Sequence, residues 1–252
     1  MIGIIGGTGV YEIMNNAKVN KKVVETPFGD APEVSLFKLN GKDVAFIPRH
    51  MSNHNIPPHI INYRANIWAL KELGVKKIIS TNSVGSLDSN LGPGTILIPN
   101  DFIDFTKMRI STFYDKNVVH IDVTNPYCET VRKAIIASAD VHDGGVYVCT
   151  EGPRFETSAE IRMFQKLGGT VVGMTGLPEA VLARELEMCY ASICLISNYA
   201  AGISDKELTT EEVFEIMDSR KEDLVKLIKN AVSKISFEED CYCQHALNDA
   251  EI

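Results

Sequence analysis

The chain has 252 residues, 45% apolar and 23% charged, which is the composition of one globular domain able to bury a real core, not of a disordered or fibrous chain. Thirty-three acidic residues against 25 basic leave a net charge of −8, and Lys and Arg form no run that would track a phosphate backbone, which argues against nucleic-acid binding. The N-terminus lacks a basic leader and no stretch approaches the ~18 uninterrupted apolar residues of a membrane span, so a cytoplasmic enzyme or binding protein is expected. Apolar, β-rich runs recur at residues 2–5, 44–47, 77–81, 95–98, 146–149, 170–174 and 192–196, several too continuously apolar to be one-sided strands. Helical segments lie between and after them: 60–73, stopped by Gly74; 126–139, with Pro126 at its start; 157–167, stopped by Gly168-Gly169; and 178–188, with Pro178 in its first turn. This alternation predicts a single α/β domain with a central mixed or mostly parallel β-sheet flanked by helices.

The last helix carries Val213, Ile216, Met217, Leu224, Leu227, Ile228, Ala231, Val232 and Ile235 on one stripe, with Thr209 or Thr210 ahead of Glu211-Glu212 as its cap. It is expected to pack that stripe on the sheet. After Phe237 the chain turns acidic and polar, so residues 1–237 are read as the domain and 238–252 as a loosely held tail. Six cysteines (Cys128, Cys149, Cys189, Cys194, Cys241 and Cys243) are too few for a disulfide framework, and none stand in the C-x-x-C spacing of a zinc site. Cys241-Tyr242-Cys243 is the close pair, read as unpaired thiols of a mobile tail rather than a labile disulfide.

The chemistry gathers where strands end, which is where α/β proteins hold ligands. Gly6-Gly7-Thr8-Gly9 follows the first strand; its glycines let backbone N–H groups approach an anion, and the same residues equally suit a tight turn. Gly3 to Gly9 contains no G-x-G-x-x-G, which argues against a dinucleotide cofactor. Pro48-Arg49-His50 ends the second strand, where Arg offers a forked pair of donors to a phosphate; ordinary solvated cations in a loop are the plainer reading. His50, His54 and His59 match no zinc spacing. Ser80-Thr81-Asn82-Ser83-Val84-Gly85 places small polar residues at a third strand end, and Thr150-Glu151-Gly152-Pro153-Arg154-Phe155-Glu156-Thr157 sets an aromatic face beside a carboxylate. Phe155 also suits the core, and Glu156 a helix start. With Gly173-Met174-Thr175-Gly176 and Ser197-Asn198-Tyr199-Ala200, these ends describe one polar crevice for a phosphate and a flat heterocycle.

Taken together, Gly6-Gly7-Thr8-Gly9, Pro48-Arg49-His50, the Asn62 to Leu70 segment, Gly85-Ser86-Leu87, Glu151-Gly152-Pro153-Arg154-Phe155, Met174-Thr175 and Pro178-Glu179 resemble, in order and spacing, the trimeric purine nucleoside phosphorylase and methylthioadenosine phosphorylase family over residues 1–235. The resemblance implies cleavage of a purine N-glycosidic bond by inorganic phosphate as co-substrate, with no metal or organic cofactor. It implies a phosphate set of Thr8, Arg49, His50, Asn82, Ser83 and Thr175. Met174 is implied at the ribose, Phe155 against the base, Asn198 as base reader, and His120 as a histidine lent to the 5′ pocket of a neighbouring subunit in a trimer or dimer of trimers. Asn198, Glu156 and His50 are the expected catalytic groups.

Adenine-specific relatives carry two aspartates at the base-reading segment, whereas this chain has Asn198-Tyr199-Ala200. An amide NH2 suits the 6-oxo acceptor of hypoxanthine, and Glu156 suits its N1–H, while adenine N1 would meet repulsion. Specificity is therefore assigned to Glu156, Thr157, Asn198 and Ala200. The 5′ end resembles the methylthio branch, whose pocket is apolar. S-methyl-5′-thioinosine is the expected substrate, inosine and guanosine secondary ones, and S-methyl-5′-thioadenosine the rival. A non-catalytic nucleoside-binding module and a nicotinamide oxidoreductase are the readings from other classes.

Overall fold

The computed structural model describes residues 1–51, 56–205, 209–238 and 240–250, with the side chain of Thr8 outside the described set. His54 also lies outside it. Eleven strands and five α-helices alternate: β1 (Ile2–Gly6), β2 (Asn20–Lys22), β3 (Val34–Leu39), β4 (Lys42–Pro48), α1 (Tyr63–Glu72), β5 (Lys77–Ser86), β6 (Ile96–Ile98), β7 (Asp101–Phe105), α2 (Glu129–Ile136), β8 (His142–Asp143), β9 (Val146–Thr150), α3 (Ser158–Lys166), β10 (Val171–Gly173), α4 (Glu179–Glu185), β11 (Cys189–Tyr199) and α5 (Thr210–Lys234). Among the described residues no helix is long and apolar enough to cross a membrane.

All eleven strands join one mixed sheet. β1 is buried along its whole length, as a strand covered on both faces must be. One face packs against α2 and α5 through Ile4, Phe46, Val131, Leu227 and Ile228; the other packs against α1 and α4 through Ile5, Ile67, Leu70 and Leu182. The seven expected strands are all present. The strands missing from the sequence reading are β2 and β3, a hairpin-like pair at one margin, β7 at the other margin, and the two-residue β8. β2 is exposed throughout and β7 is interrupted by the exposed Asp101 and Asp104, so neither shows the apolar run of a buried strand.

Two strands run longer than expected, and the site owes its shape to them. β5 pairs β1 through Ser80 and β10 from Gly85, so residues 81–84 keep β11 on one side and face a gap in the sheet on the other. Polar residues persist there as strand because their side chains satisfy one another: Asn82 Nδ2 donates to Ser192 Oγ at 2.7 Å and Ser83 Oγ to Ser197 Oγ at 2.8 Å, leaving little buried polarity unpaired. β11 shifts register between Ile196 and Asn198, a bulge of the kind that re-aims side chains beside active sites. Close approach completes the gap: a Cβ at Gly85 would stand 3.1 Å from Asn198 Nδ2, and one at Gly173 would overlap the Tyr147 hydroxyl that receives the Thr175 and Gly176 amides.

The C-terminal residues differ from the expected loose tail. Cys243, Ala246 and Ala250 are buried, Tyr242 Oη donates to Asp122 at 2.6 Å, and the His120 amide donates to the Ala250 carbonyl. The reason is apolar and sulfur contact: Cys241 and Cys243 pack into the α2–α5 core, a destination that the acidic composition of the segment conceals.

Candidate functional site

A crevice of about 700 Å³ opens at the carboxyl ends of β1, β4, β5, β10 and β11. Its floor is a buried polar network. Arg49 follows β4 and is 3% exposed; its Nε and Nη2 grip Glu179 at 2.5 and 3.0 Å, Nη1 donates to the Thr81 carbonyl and Nη2 to Ser80 Oγ. Glu179, at the first turn of α4, is fully buried and also accepts from Tyr190 Oη at 2.9 Å. Burial opposes the Arg49 charge, but the field and hydrogen bonds of Glu179 outweigh it and raise its pKa. The expected forked grip on phosphate is corrected here. The fork belongs to Glu179, and one of the five guanidinium N–H donors is left over, on Nη1 toward the crevice that Arg49 lines.

Asn82 is likewise engaged within the protein: Oδ1 accepts from Thr175 Oγ1 at 2.7 Å and Nδ2 donates to Ser192. Its side chain fixes Thr175 rather than offering a donor of its own, a second correction to the predicted anion set. Ser83 is exposed into the gap between strands, and both it and Thr175 line the crevice. His50 Nδ1 lies 2.8 Å from the Ile56 carbonyl; a carbonyl only accepts, so Nδ1 carries a proton, and Nε2 donates as well only in the imidazolium form.

The opposite wall is flatter and less charged. Phe155, 40% exposed, lines it with Met174, Ala200 and Asn198. Asn198 Oδ1 accepts from Ser197 Oγ at 2.8 Å and Nδ2 donates to the Tyr199 carbonyl at 2.9 Å. Turning the amide over would set two oxygens against each other, so the NH2 orientation is fixed and one N–H remains. Glu156 Oε1 accepts from Thr150 Oγ1 at 2.6 Å, leaving its second oxygen for another donor. Thr157 does not line the crevice. It is the N-cap of α3 in a reciprocal capping box with Glu160, whose carboxyl is held down to about 2 by Arg154 and the Thr157 amide. Its expected specificity role is thus replaced by a structural one.

His120 is exposed and stands away from the crevice of its own chain. Sequence reading missed Glu179 as the partner of Arg49 and missed the apolar rim. That rim is Val213, Phe214 and Met217, from the first turns of α5. Of the stripe expected to pack on the sheet, only the part from Leu224 onward is fully buried. Phe214 is 67% exposed, a large apolar side chain near Glu212 and Glu215 off the buried stripe, and that position is a signal the sequence does carry.

A buried polar floor, an aromatic wall and an apolar rim in one crevice at a strand-end gap define a binding cleft for a small molecule in an α/β protein. The chain belongs to the phosphorylase superfamily, whose family model matches residues 1–233. It is 63% identical to a probable S-methyl-5′-thioinosine phosphorylase of Methanothermobacter thermautotrophicus, over 100% of this chain and 90% of that one. It is 50% identical to a 6-oxopurine nucleoside phosphorylase of Pyrococcus furiosus, over 99% and 98%. A methylthioadenosine phosphorylase from an antarctic soil metagenomic library matches with a TM-score of 0.91 and 36% identity, covering 100% of this chain and 92% of that one. The Schistosoma mansoni methylthioadenosine phosphorylase in complex with adenine matches at 0.89 and 32%, covering 94% and 92%.

Proposed function

We propose that this protein is a 6-oxopurine nucleoside phosphorylase acting chiefly on S-methyl-5′-thioinosine, releasing hypoxanthine and S-methyl-5-thioribose 1-phosphate, with inosine and guanosine as further substrates. The observation that carries the reading is the pair of base-facing groups: Asn198 keeps an N–H for a 6-oxo acceptor and Glu156 keeps an oxygen for N1–H. Adenine would oppose its N1 lone pair to that carboxylate and its amino group to that N–H, and such mismatches of buried polar groups discriminate strongly. The apolar rim of Val213, Phe214 and Met217 suits a methylthio group, and the similarity to a probable S-methyl-5′-thioinosine phosphorylase and a 6-oxopurine nucleoside phosphorylase runs in the same direction.

In this reading an oxygen of hydrogen phosphate attacks C1′ as the C1′–N9 bond breaks, the bonding pair leaves with the purine, and the purine takes up at N7, through solvent, the proton that the phosphate gives up on becoming the ester dianion. The remaining Nη1–H of Arg49, Ser83, Thr175, Thr8 and His50, the last through the second N–H of its imidazolium form, hold the phosphate dianion under the sugar. Bound there it is positioned as nucleophile and stabilises the positive charge that grows on the ribosyl ring. Met174 sits at the ribose, Phe155 against the base, and Asn198 assists N7 or O6 as negative charge moves onto the purine. The reaction itself uses no organic cofactor. We further propose a cytoplasmic, trimer-based assembly in which His120 serves a neighbour's 5′ pocket, which accords with its position outside its own crevice. Incubating the protein with S-methyl-5′-thioinosine and phosphate tests the reading: hypoxanthine and a sugar 1-phosphate in equal amounts support it, and nucleoside binding without base release contradicts it.

A further inference from the structure

The cysteines of this chain fall into two groups. Cys149 and Cys194 are pushed up to about 12, chiefly by burial in the sheet. Cys128, Cys189, Cys241 and Cys243 converge, all four Sγ atoms within 4.8 Å of one another and those of Cys128 and Cys241 3.4 Å apart. Three separate pieces of chain deliver them: Cys128 is the N-cap of α2, Cys189 opens β11, and Cys241 and Cys243 arrive on the C-terminal segment. Four thiolates bonded at 2.3 Å to a tetrahedral ion stand about 3.8 Å apart, so the cluster already has the dimensions of a four-sulfur cage. Three of the four are buried and Cys241 is partly exposed, which gives an ion a way in.

A buried charge beside the cluster asks for the same thing. Arg184 is 2% exposed and donates to the carbonyls of Asp122, Asn125 and Pro126. Among the described residues it makes no ion pair with a carboxylate, and its guanidinium lies 5.4 Å from the ring centre of Tyr242, the residue between the two tail cysteines. The Asp122 carboxylate feels its field but is exposed to solvent, and a buried cation without a directly paired counter-charge is costly. A divalent ion held by four thiolates is a net anion and supplies that counter-charge.

We propose that Cys128, Cys189, Cys241 and Cys243 bind one thiophilic divalent cation, zinc by ligand type and geometry, in a closed structural site that fastens the C-terminal segment to α2 and β11. Each thiol releases its proton as its sulfur bonds the ion. None of the four lines the crevice, so the site is structural and separate from the chemistry of base release.

The untagged full chain, purified without oxygen and with a phosphine reductant, is analysed for bound metal, and cobalt(II) is exchanged in to report the ligand field. One equivalent of zinc per chain, released by a thiol-blocking mercurial, and the intense thiolate-to-cobalt bands of a tetrahedral four-sulfur site are expected. Cys241→Ser/Cys243→Ser should lose the metal yet keep base release, and Cys241→Ser alone should weaken retention against a chelator by more than the roughly 10–100-fold that outer-shell changes cost. Protein that carries no metal and takes up neither zinc nor cobalt overturns the proposal. So does full zinc retention in the double variant, or an intact mass showing these cysteines joined as disulfides.

Discussion

Arg49 and Glu179, 130 residues apart in the chain, form a two-point ion pair beneath the crevice, with both side chains essentially excluded from water. Removing one partner strands the other charge, which typically costs about 3–5 kcal/mol. Arg49→Met should therefore lose stability on that scale in denaturant titration and also raise the phosphate KM. Adding Glu179→Gln should recover part of the stability and none of the phosphate affinity. Recovery of both would remove Arg49 from the anion site.

Base selection should turn on two positions. Asn198→Asp with Ala200→Asp supplies acceptors for an exocyclic amino group, and each reversed polar contact is worth about 1–3 kcal/mol. The ratio of kcat/KM for 6-oxo over 6-amino nucleosides should fall at least tenfold. An unchanged ratio would refute Asn198 as base reader.

Thr157 should matter to folding alone. Thr157→Ala removes a cap worth roughly 1 kcal/mol, and base selectivity should stay as it is. The capping box has a pH signature as well. Glu160 titrates at about 2 in the folded chain against 4.5 ordinarily, so its contribution is present above pH 4.5 and is lost as the pH falls toward 2. Arg154→Gln should shrink that acid-limb dependence, read by thermal unfolding across this window.

The apolar rim should set 5′ preference. Phe214→Ser should lower kcat/KM for methylthioinosine by about tenfold, the order expected for losing one apolar contact, with inosine little changed. His120→Ala should alter the same discrimination if subunits share their 5′ pockets. Equal losses for both nucleosides in both variants would place the 5′ group elsewhere.

Strand ends were legible because their information is local: an apolar run that stops in glycine, hydroxyl or Arg-His residues marks both a buried strand and its ligand edge. That logic found Arg49, His50, Ser83, Thr175, Phe155, Glu156 and Asn198, all of which line one crevice. It failed where function depends on pairing across the chain. Nothing near Arg49 announces that Glu179 will occupy its fork, and Asn82 reads as a free amide until Thr175 and Ser192 are folded onto it. The cysteines show the limit most clearly, since Cys128, Cys189 and the 241–243 pair have no motif spacing and meet only through tertiary structure. Met217 misled for the opposite reason, because an apolar helical stripe has the same period whether it covers a sheet or rims a pocket.

The most direct test of the substrate assignment is base release from methylthioinosine, methylthioadenosine, inosine and adenosine in parallel, each with and without phosphate, ranked by kcat/KM. The expected outcome is that methylthioinosine leads, both 6-amino nucleosides trail, and turnover vanishes without phosphate. Methylthioadenosine in first place would contradict the roles given to Asn198 and Glu156, and release independent of phosphate would contradict phosphorolysis itself.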